Sequence, residues 1–460
     1  MAFIAPFRGV CFNPKKVGRL DDVMTPPYDV INDTLIAAYL EKNPYNMIRL
    51  DITKSAKAVS DDGHDTRYQD AASLFQQWLD DQVLQRDAEP AIYLYETEYN
   101  HPSGKTLTRK GLVCLVGLAE FAEGVVKPHE RTFETVIADR LRLMETCKAQ
   151  FSQIFSVFSD PDNRVMTRLE QVRGEALGAV RDADGCLHSL WRVSDGDAIY
   201  AVQRFFLDKS VYIADGHHRY TTSLAYRRKL TAARGSLDPK DPANHIMMYL
   251  CPMEDPGLSV LPTHRLVNWP GQMAVTDLLA CIGPYVDVEE MKNGSRESLV
   301  GEVMSRMNEL ENLTLEKSSS TFGLYHPGED RCFLLTMKSE ARSSLDGRPD
   351  VLRDLDVVIL SDLLIEKALD LDHTRCEQEN LVRYFSDADE ALDVAVKNSM
   401  DGDKQTPLLF VMNPTRVGQV QDVADQGLVM PHKSTYFYPK IMTGLLFHQL
   451  KDGEIINRLD

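Results

Sequence analysis

The sequence predicts a mixed α/β (α+β) protein, and three patterns carry that expectation. Ala91–Tyr99 and Thr106–Leu118 read as two strands of a hairpin joined through the turn-rich His101-Pro102-Ser103-Gly104. Ala71, Leu74, Phe75, Trp78 and Leu79 recur at helical spacing and predict a helix over Tyr68–Leu84. Ser210–Ala214 is a short apolar run, and a helical pattern over Tyr220–Leu230 follows it, with Asp215-Gly216-His217-His218-Arg219 between the two.

The remaining elements fill in around these. Thr25-Pro26-Pro27-Tyr28-Asp29 must be irregular, because consecutive prolines remove backbone donors and restrict the residue before them. Asn43-Pro44-Tyr45 is a second turn. A helix over Ala138–Ala149, a strand over Phe151–Phe158 and a helix over Ala198–Phe206 come next. Asn268-Trp269-Pro270-Gly271 marks a boundary, after which a hairpin over Thr321–Lys338 and a helix over Asp356–Leu369 are expected. Strand Pro407–Val411 then leads through Asn413-Pro414-Thr415 into a helix reaching about Asp425. The expected segments are 1–120, 121–268 and a C-terminal α/β domain over 269–460.

Composition narrows the function. The 460 residues are 43% apolar and carry a net charge of −18, which repels a polyanion and makes nucleic acid an unlikely partner. No apolar run reaches transmembrane length, and Met1–Arg8 lacks the basic segment and long apolar core of a signal peptide, so no membrane association and a cytoplasmic location are expected. The eight cysteines (11, 114, 147, 186, 251, 281, 332 and 376) show no metal-knuckle or redox spacing and read as packed, reduced thiols. Nothing in the sequence bears on oligomeric state.

The Asp215–Arg219 turn is the strongest candidate site. A strand, a glycine-containing turn and a helix start expose backbone N–H groups at the positive end of a helix dipole, a combination that binds anions. Gly216 permits positive φ, Arg219 can grip phosphate oxygens, and His217 and His218 add donors. Asp215 could hold a magnesium ion or orient an imidazole. A solvated turn that happens to carry two histidines is the alternative. Lys127–Thr132, with Pro128-His129-Glu130 ahead of a helix, offers a carboxylate suited to a general base, or is simply a polar loop. His264-Arg265, read as a loop, suits a phosphate or carboxylate, although paired structural charges explain it almost as well. In Lys433–Lys440 the lysines could reach a phosphate and the tyrosines could stack on a base, or the segment is an aromatic strand. Tyr28, Asp29, Arg49 and Arg109 are weaker candidates.

Phe7-Arg8-Gly9, Thr25–Ile31, Asn43-Pro44-Tyr45-Asn46, His129–Thr132, Ala138-Asp139-Arg140-Leu141, Ala214–Tyr220, Leu261–Arg265 and Lys433–Gly444 occur in order along the chain. On these motifs the chain resembles, and is identified as a member of, domain-of-unknown-function family 1015. Pro128-His129-Glu130 together with Asp215–Arg219 is also similar to the free-serine kinases of the ParB/sulfiredoxin superfamily. That resemblance implies a ParB/sulfiredoxin-like central nucleotide-binding domain and a small-molecule phosphotransferase using ATP or ADP with Mg2+. Glu130 would be the base toward the hydroxyl of serine or a similar metabolite, with Asp215 and His218 assisting. Gly216, His217, His218 and Arg219 would cradle phosphates, Asp215 would face the metal, and His129, Thr132, His264 and Arg265 would contact substrate. A nucleotide hydrolase or phosphatase on the same site, or a non-catalytic nucleotide-sensing ParB-like module, are the alternatives. Glu130 and Asp215 lie 85 positions apart, a longer interval than in those kinases, so an insertion at about Asp160–Gly196 is expected to loop out.

Overall fold

The computed structural model describes residues 1–51, 66–292, 294–313, 320–400 and 405–457. The chain forms two compact units, Met1–Ser259 with Pro439–Asp460, and Val260–Tyr438.

The first unit is built on a mixed sheet of nine strands: β1 (Ile4–Ala5), β2 (Ile92–Asn100), β3 (Thr106–Gly117), β4 (Val126–Lys127), β5 (Ile154–Phe158), β6 (Ala176–Arg181), β7 (Leu187–Val193), β8 (Val211–Asp215) and β9 (His245–Pro252). The order is β4-β8-β5-β9-β3-β2-β7-β6, with β1 on β3. The hairpin of β2 and β3 forms as its alternation requires, with Tyr93 opposite Val113 and Asn100 opposite Thr106. Every residue of β9 is buried, as befits a strand in mid-sheet covered on both faces. Helices α1 (Arg67–Asp80), α2 (Glu134–Cys147), α3 (Arg164–Gln171), α4 (Gly196–Phe206) and α5 (His217–Arg234) pack around it.

One register positions the site. β8 runs parallel to β4, with Val211 opposite Val126 and Tyr212 opposite Lys127. Both strands therefore end on the same side, where Pro128-His129-Glu130 leaves β4 and the Gly216 turn leaves β8. Ligands in α/β sheets gather at such carboxyl ends. On its other side β8 pairs antiparallel with β5, Tyr212 facing Val157 and Ile213 facing Ser156.

Three expectations change here. Asp160–Gly196 is not a loop: it supplies α3 and the β6–β7 hairpin, which extends the sheet by pairing β7 with β2. A hairpin with open edges lowers its free energy by joining a ladder rather than standing in solvent. The expected segments 1–120 and 121–268 share this one sheet, and the chain returns to the same unit after Tyr438, where His448–Gln449 forms a separate two-stranded pairing with Ala149–Gln150. The helix expected from Tyr220 begins at His217, so the two histidines open its first turn.

The second unit has an antiparallel sheet of β10 (His264–Pro270), β11 (Val286–Met291), β12 (Thr321–His326), β13 (Arg331–Met337), β14 (Val382–Phe385) and β15 (Gln405–Val411), in the order β11-β13-β12-β15-β10-β14. Helices α6 (Arg296–Leu313) and α7 (Ala388–Met400) share a core with it through Val300, Val303, Ala391, Leu392, Leu266 and Leu409. The helix expected over Asp356–Leu369 is a short α-turn continued as a π-helix over Ile359–Ala368. Among the described residues, no helix is long and apolar enough to cross a membrane, and none of the eight cysteines is in a disulfide.

Candidate functional site

Gly216 is the pivot of the turn. Its φ is 100°, a conformation that favours glycine, and a Cβ there would lie 2.8 Å from Arg219 Nη2 and oblige that guanidinium to shift. Gly216 also caps the eighteen-residue α5 without a side chain. The first-turn amides of a helix have no intrahelical acceptors, and here no cap side chain takes their place.

The side chains of the turn are held in place. Arg219 folds back over Gly216, and its Nη2 donates to Asp215 Oδ2 at 2.8 Å. Nη1 donates to the Gln153 carbonyl at 2.5 Å and to Ser152 Oγ at 3.2 Å. The other oxygen of Asp215 accepts from Lys440 Nζ at 2.8 Å. Burial alone would push the Asp215 carboxyl up, but Lys440 and Arg219 outweigh it and hold it well below the usual carboxylate range. Lys440 comes from the returning C-terminal segment, and buried Arg109 holds the residue before it by donating to the Pro439 carbonyl at 2.7 Å. Arg49, the other weak arginine candidate, donates to the Leu40 carbonyl.

The histidines link the two motifs. His217 is 2% exposed, and its Nε2 accepts the His129 backbone N–H at 3.2 Å. Burial first, and His129 beside it, push the His217 pKa down to about 3, so the ring is neutral near pH 7. A neutral ring whose Nε2 accepts must carry its proton on Nδ1. That Nδ1–H faces Glu130 Oε2 at 3.7 Å, longer than a hydrogen bond. The Glu130 side chain is 26% exposed and so stays open to solvent. His129 packs edge-on against His217 with ring centroids 4.7 Å apart, and burial lowers its pKa also. His218 Nε2 accepts from the Phe133 N–H at 3.0 Å, and the two rings stack at 5.7 Å. Thr132 lies half-buried in the loop between Glu130 and α2.

Glu130, His129, His217, His218, Asp215 and Arg219 are thus assembled at one end of the sheet. His264 and Arg265 belong to the second unit and are not a loop: they open β10 and are 0% and 1% exposed. Thr263 precedes the strand, and β10 pairs with both neighbours over Arg265–Val267, so the pattern of a turn before a charged pair concealed an interior strand. Lys433–Lys440 contains only the short strand Tyr436–Tyr438.

Several residues of this region were not singled out in the sequence. Phe133 is 40% exposed although it stacks on His218, and an exposed aromatic before a helix gives no periodic signal. Arg140 lies inside a quoted motif, but only the fold reveals that it is buried, bonded to Asp51 at 2.5 Å and set over the Tyr28 ring at 4.8 Å.

A magnesium ion fits this donor set poorly as a preformed cage. Both Asp215 oxygens face cations, and among the described residues only Asp362, Glu366 and His373, in the second unit, bring three acidic or histidine ligand atoms within 4.8 Å.

No functionally curated protein matches the chain. Among solved structures, it is similar to a point mutant of a free serine kinase in complex with AMP, at 13% identity and TM-score 0.32, covering 71% of this chain and 91% of that one. A second free serine kinase mutant, in complex with ADP, gives the same identity, score and coverage. C-terminally truncated SbnI from Staphylococcus aureus gives 9% identity and TM-score 0.34, over 74% of this chain and 90% of that one. The profile of the family described as "Protein of unknown function (DUF1015)" matches residues 4–358, and the chain belongs to that family.

Proposed function

We propose that the first unit is a phosphotransferase that binds ATP or ADP at the Asp215–Arg219 turn and phosphorylates a small hydroxylated metabolite, with Glu130 as general base. The observation that carries this reading is the meeting of two motifs 85 residues apart, which sets Glu130 Oε2 3.7 Å from the proton-bearing nitrogen of His217. The first-turn amides and the dipole of α5 would receive the terminal phosphates. Arg219 and Lys440, held against the single carboxylate of Asp215, leave one positive charge to spare in that cluster, and the neutral His217 donates without adding charge.

In the reaction the acceptor hydroxyl oxygen attacks the terminal phosphorus and Glu130 takes its proton. The bond from phosphorus to the bridging oxygen breaks, and the nucleotide leaves with one phosphate fewer. Such transfer depends on positioning and charge neutralisation more than on covalent help from the protein. A divalent ion bound to the phosphates would supply further neutralisation; the steps above run on this chain's own groups. Phe133, stacked on His218 and 40% exposed, is placed to support a base or to cover the site.

The test is to incubate the pure full-length protein with magnesium, ATP or ADP and a pool of hydroxylated amino acids and hydroxy acids, and to seek phosphorylated products by mass spectrometry. Nucleotide loss without an acceptor product would replace this reading with hydrolysis, and saturable nucleotide binding without turnover would replace it with sensing.

A further inference from the structure

We infer that Asp362, Glu366 and His373 of the second unit form a site for a divalent transition-metal ion of the zinc kind, held by two carboxylate oxygens and an imidazole nitrogen with a further position left to water. None of the three belongs to the motifs of the first unit, and the assignment holds whether or not that unit transfers phosphate.

The chain brings the three together locally. Asp362 and Glu366 are four apart in the π-helix Ile359–Ala368, which ends with a bond from the Leu369 N–H to the Leu364 carbonyl at 3.1 Å, five residues back. Side chains four apart on a helix share a face. A turn, bonded from the Leu371 N–H to the Ile365 carbonyl at 3.2 Å, then leads into the short helix His373–Gln378. Asp372 caps that helix by accepting the Arg375 N–H at 2.9 Å, which fixes His373 at its first position. Stretches of π-helix are rare and frequently accompany functional sites.

The distances suit a single ion. His373 Nε2 lies 3.0 Å from Asp362 Oδ1 and 3.5 Å from Glu366 Oε2, and the three ligand atoms all lie within 4.8 Å of one another. An ion bonded tetrahedrally to nitrogen and oxygen at about 2.0–2.2 Å sets its ligand atoms about 3.3–3.6 Å apart, so small side-chain rotations close the trio around it. Among the described residues no other three acidic, histidine or cysteine side chains meet so closely.

The surroundings favour a metal of this kind. Asp362 is 5% exposed, and Arg348 takes only one of its oxygens: Nε donates to Oδ2 at 2.8 Å and Nη2 lies 2.7 Å from the same atom. Oδ1 is left to the site, and an outer partner of this sort orients a metal ligand. Two carboxylates against one guanidinium leave one negative charge when the imidazole is neutral, which attracts a cation. The side chains of His373 and Glu366 are 50% and 41% exposed, so an ion can enter from solvent and keep water as a further ligand. A nitrogen donor beside oxygens selects zinc and its neighbours over magnesium or calcium, which prefer oxygen alone. A proton on Nε2 would satisfy the same carboxylates as a plain ion pair, and the experiment decides between the two.

Zn2+ and Mg2+ are titrated separately into chelator-stripped full-length protein by isothermal titration calorimetry, and thermal unfolding is followed with and without Zn2+. Wild type should bind Zn2+ saturably and Mg2+ far more weakly. Glu366→Gln and His373→Ala, both at half-exposed positions where folding is little disturbed, should each raise the Zn2+ Kd at least about tenfold. Zn2+ should raise the unfolding midpoint of wild type and leave that of both variants unmoved, whereas an ion pair alone gives no Zn2+ dependence in any of them. His218→Ala, in the first unit, should keep the wild-type Zn2+ Kd. No saturable Zn2+ binding, a wild-type Kd in both second-unit variants, loss of binding in His218→Ala instead, or Mg2+ bound as tightly as Zn2+ each overturns the assignment.

Discussion

Arg219 and Arg265 sit in similar sequence settings, each beside a histidine and each a candidate anion contact, yet the two units treat them in opposite ways. Arg219 lies in the first turn of a helix, where Asp215, four residues earlier, comes within 2.8 Å and the Gln153 carbonyl takes a second bond. Arg265 lies in a strand whose neighbours on both sides are paired. Its Nη1 reaches only the Thr263 carbonyl and Met412 Sδ, it lies 5.6 Å from the Tyr384 ring centroid, and Nη2 has no partner among the described residues. Burial lowers its pKa accordingly. The lesson concerns context. A helix start presents consecutive polar residues at a strand's end, where counter-charges and ligands gather, whereas an inner strand buries them one face at a time.

This contrast can be broken by mutation. Asp215→Ala strands Lys440 and Arg219 without their anion and should cost about 3–5 kcal/mol in urea denaturation. Arg265→Met replaces a buried charge that has no carboxylate bond with an apolar chain, and should change stability by at most about 1 kcal/mol or raise it. Equal losses would erase the distinction. Gly216→Ala forces a Cβ into a backbone of φ 100° and against Arg219, and should cost about 1–3 kcal/mol in the same assay.

The histidines of both regions give a pH signature of the same sign. Burial takes His217 down to about 3 and His264 to about 4, from 6.5 in the unfolded chain. A histidine with a lowered folded pKa adds stability that is fully present above the unfolded value and is lost as pH falls through the window below it. The urea midpoint should therefore drop between pH 6.5 and about 4, and His264→Leu should flatten that fall without affecting nucleotide affinity. The smallest effect is expected from Phe133→Ala, about 0.5 kcal/mol, because the ring is 40% exposed.

Much of this was legible in the sequence where local patterns decide the outcome. The β2–β3 hairpin, β8 and the helices over 134–147 and 196–206 lie within a few residues of their periodic signals. Gly216 was readable as a positive-φ residue because a strand and a helix had to join there. Long-range pairing was not readable: nothing in Asp160–Gly196 tells that its hairpin extends the sheet at β2, and nothing near Tyr438 tells that the next residues return to supply Lys440. The π-helix over 359–368 has the same apolar composition as an α-helix, and only its hydrogen bonding distinguishes it. Burial of Arg140, Arg265 and His264 ran against their usual surface preference and followed from tertiary packing alone.

The central claim is that Glu130 and the Asp215–Arg219 turn act on one phosphoryl group. Its most direct measurement compares wild type and Glu130→Gln for phosphorylated acceptor formed from ATP or ADP, alongside nucleotide Kd. The account predicts product with wild type, a loss of at least about 100-fold with Glu130→Gln, and a nucleotide Kd changed by no more than about twofold. Wild-type turnover in Glu130→Gln would contradict it.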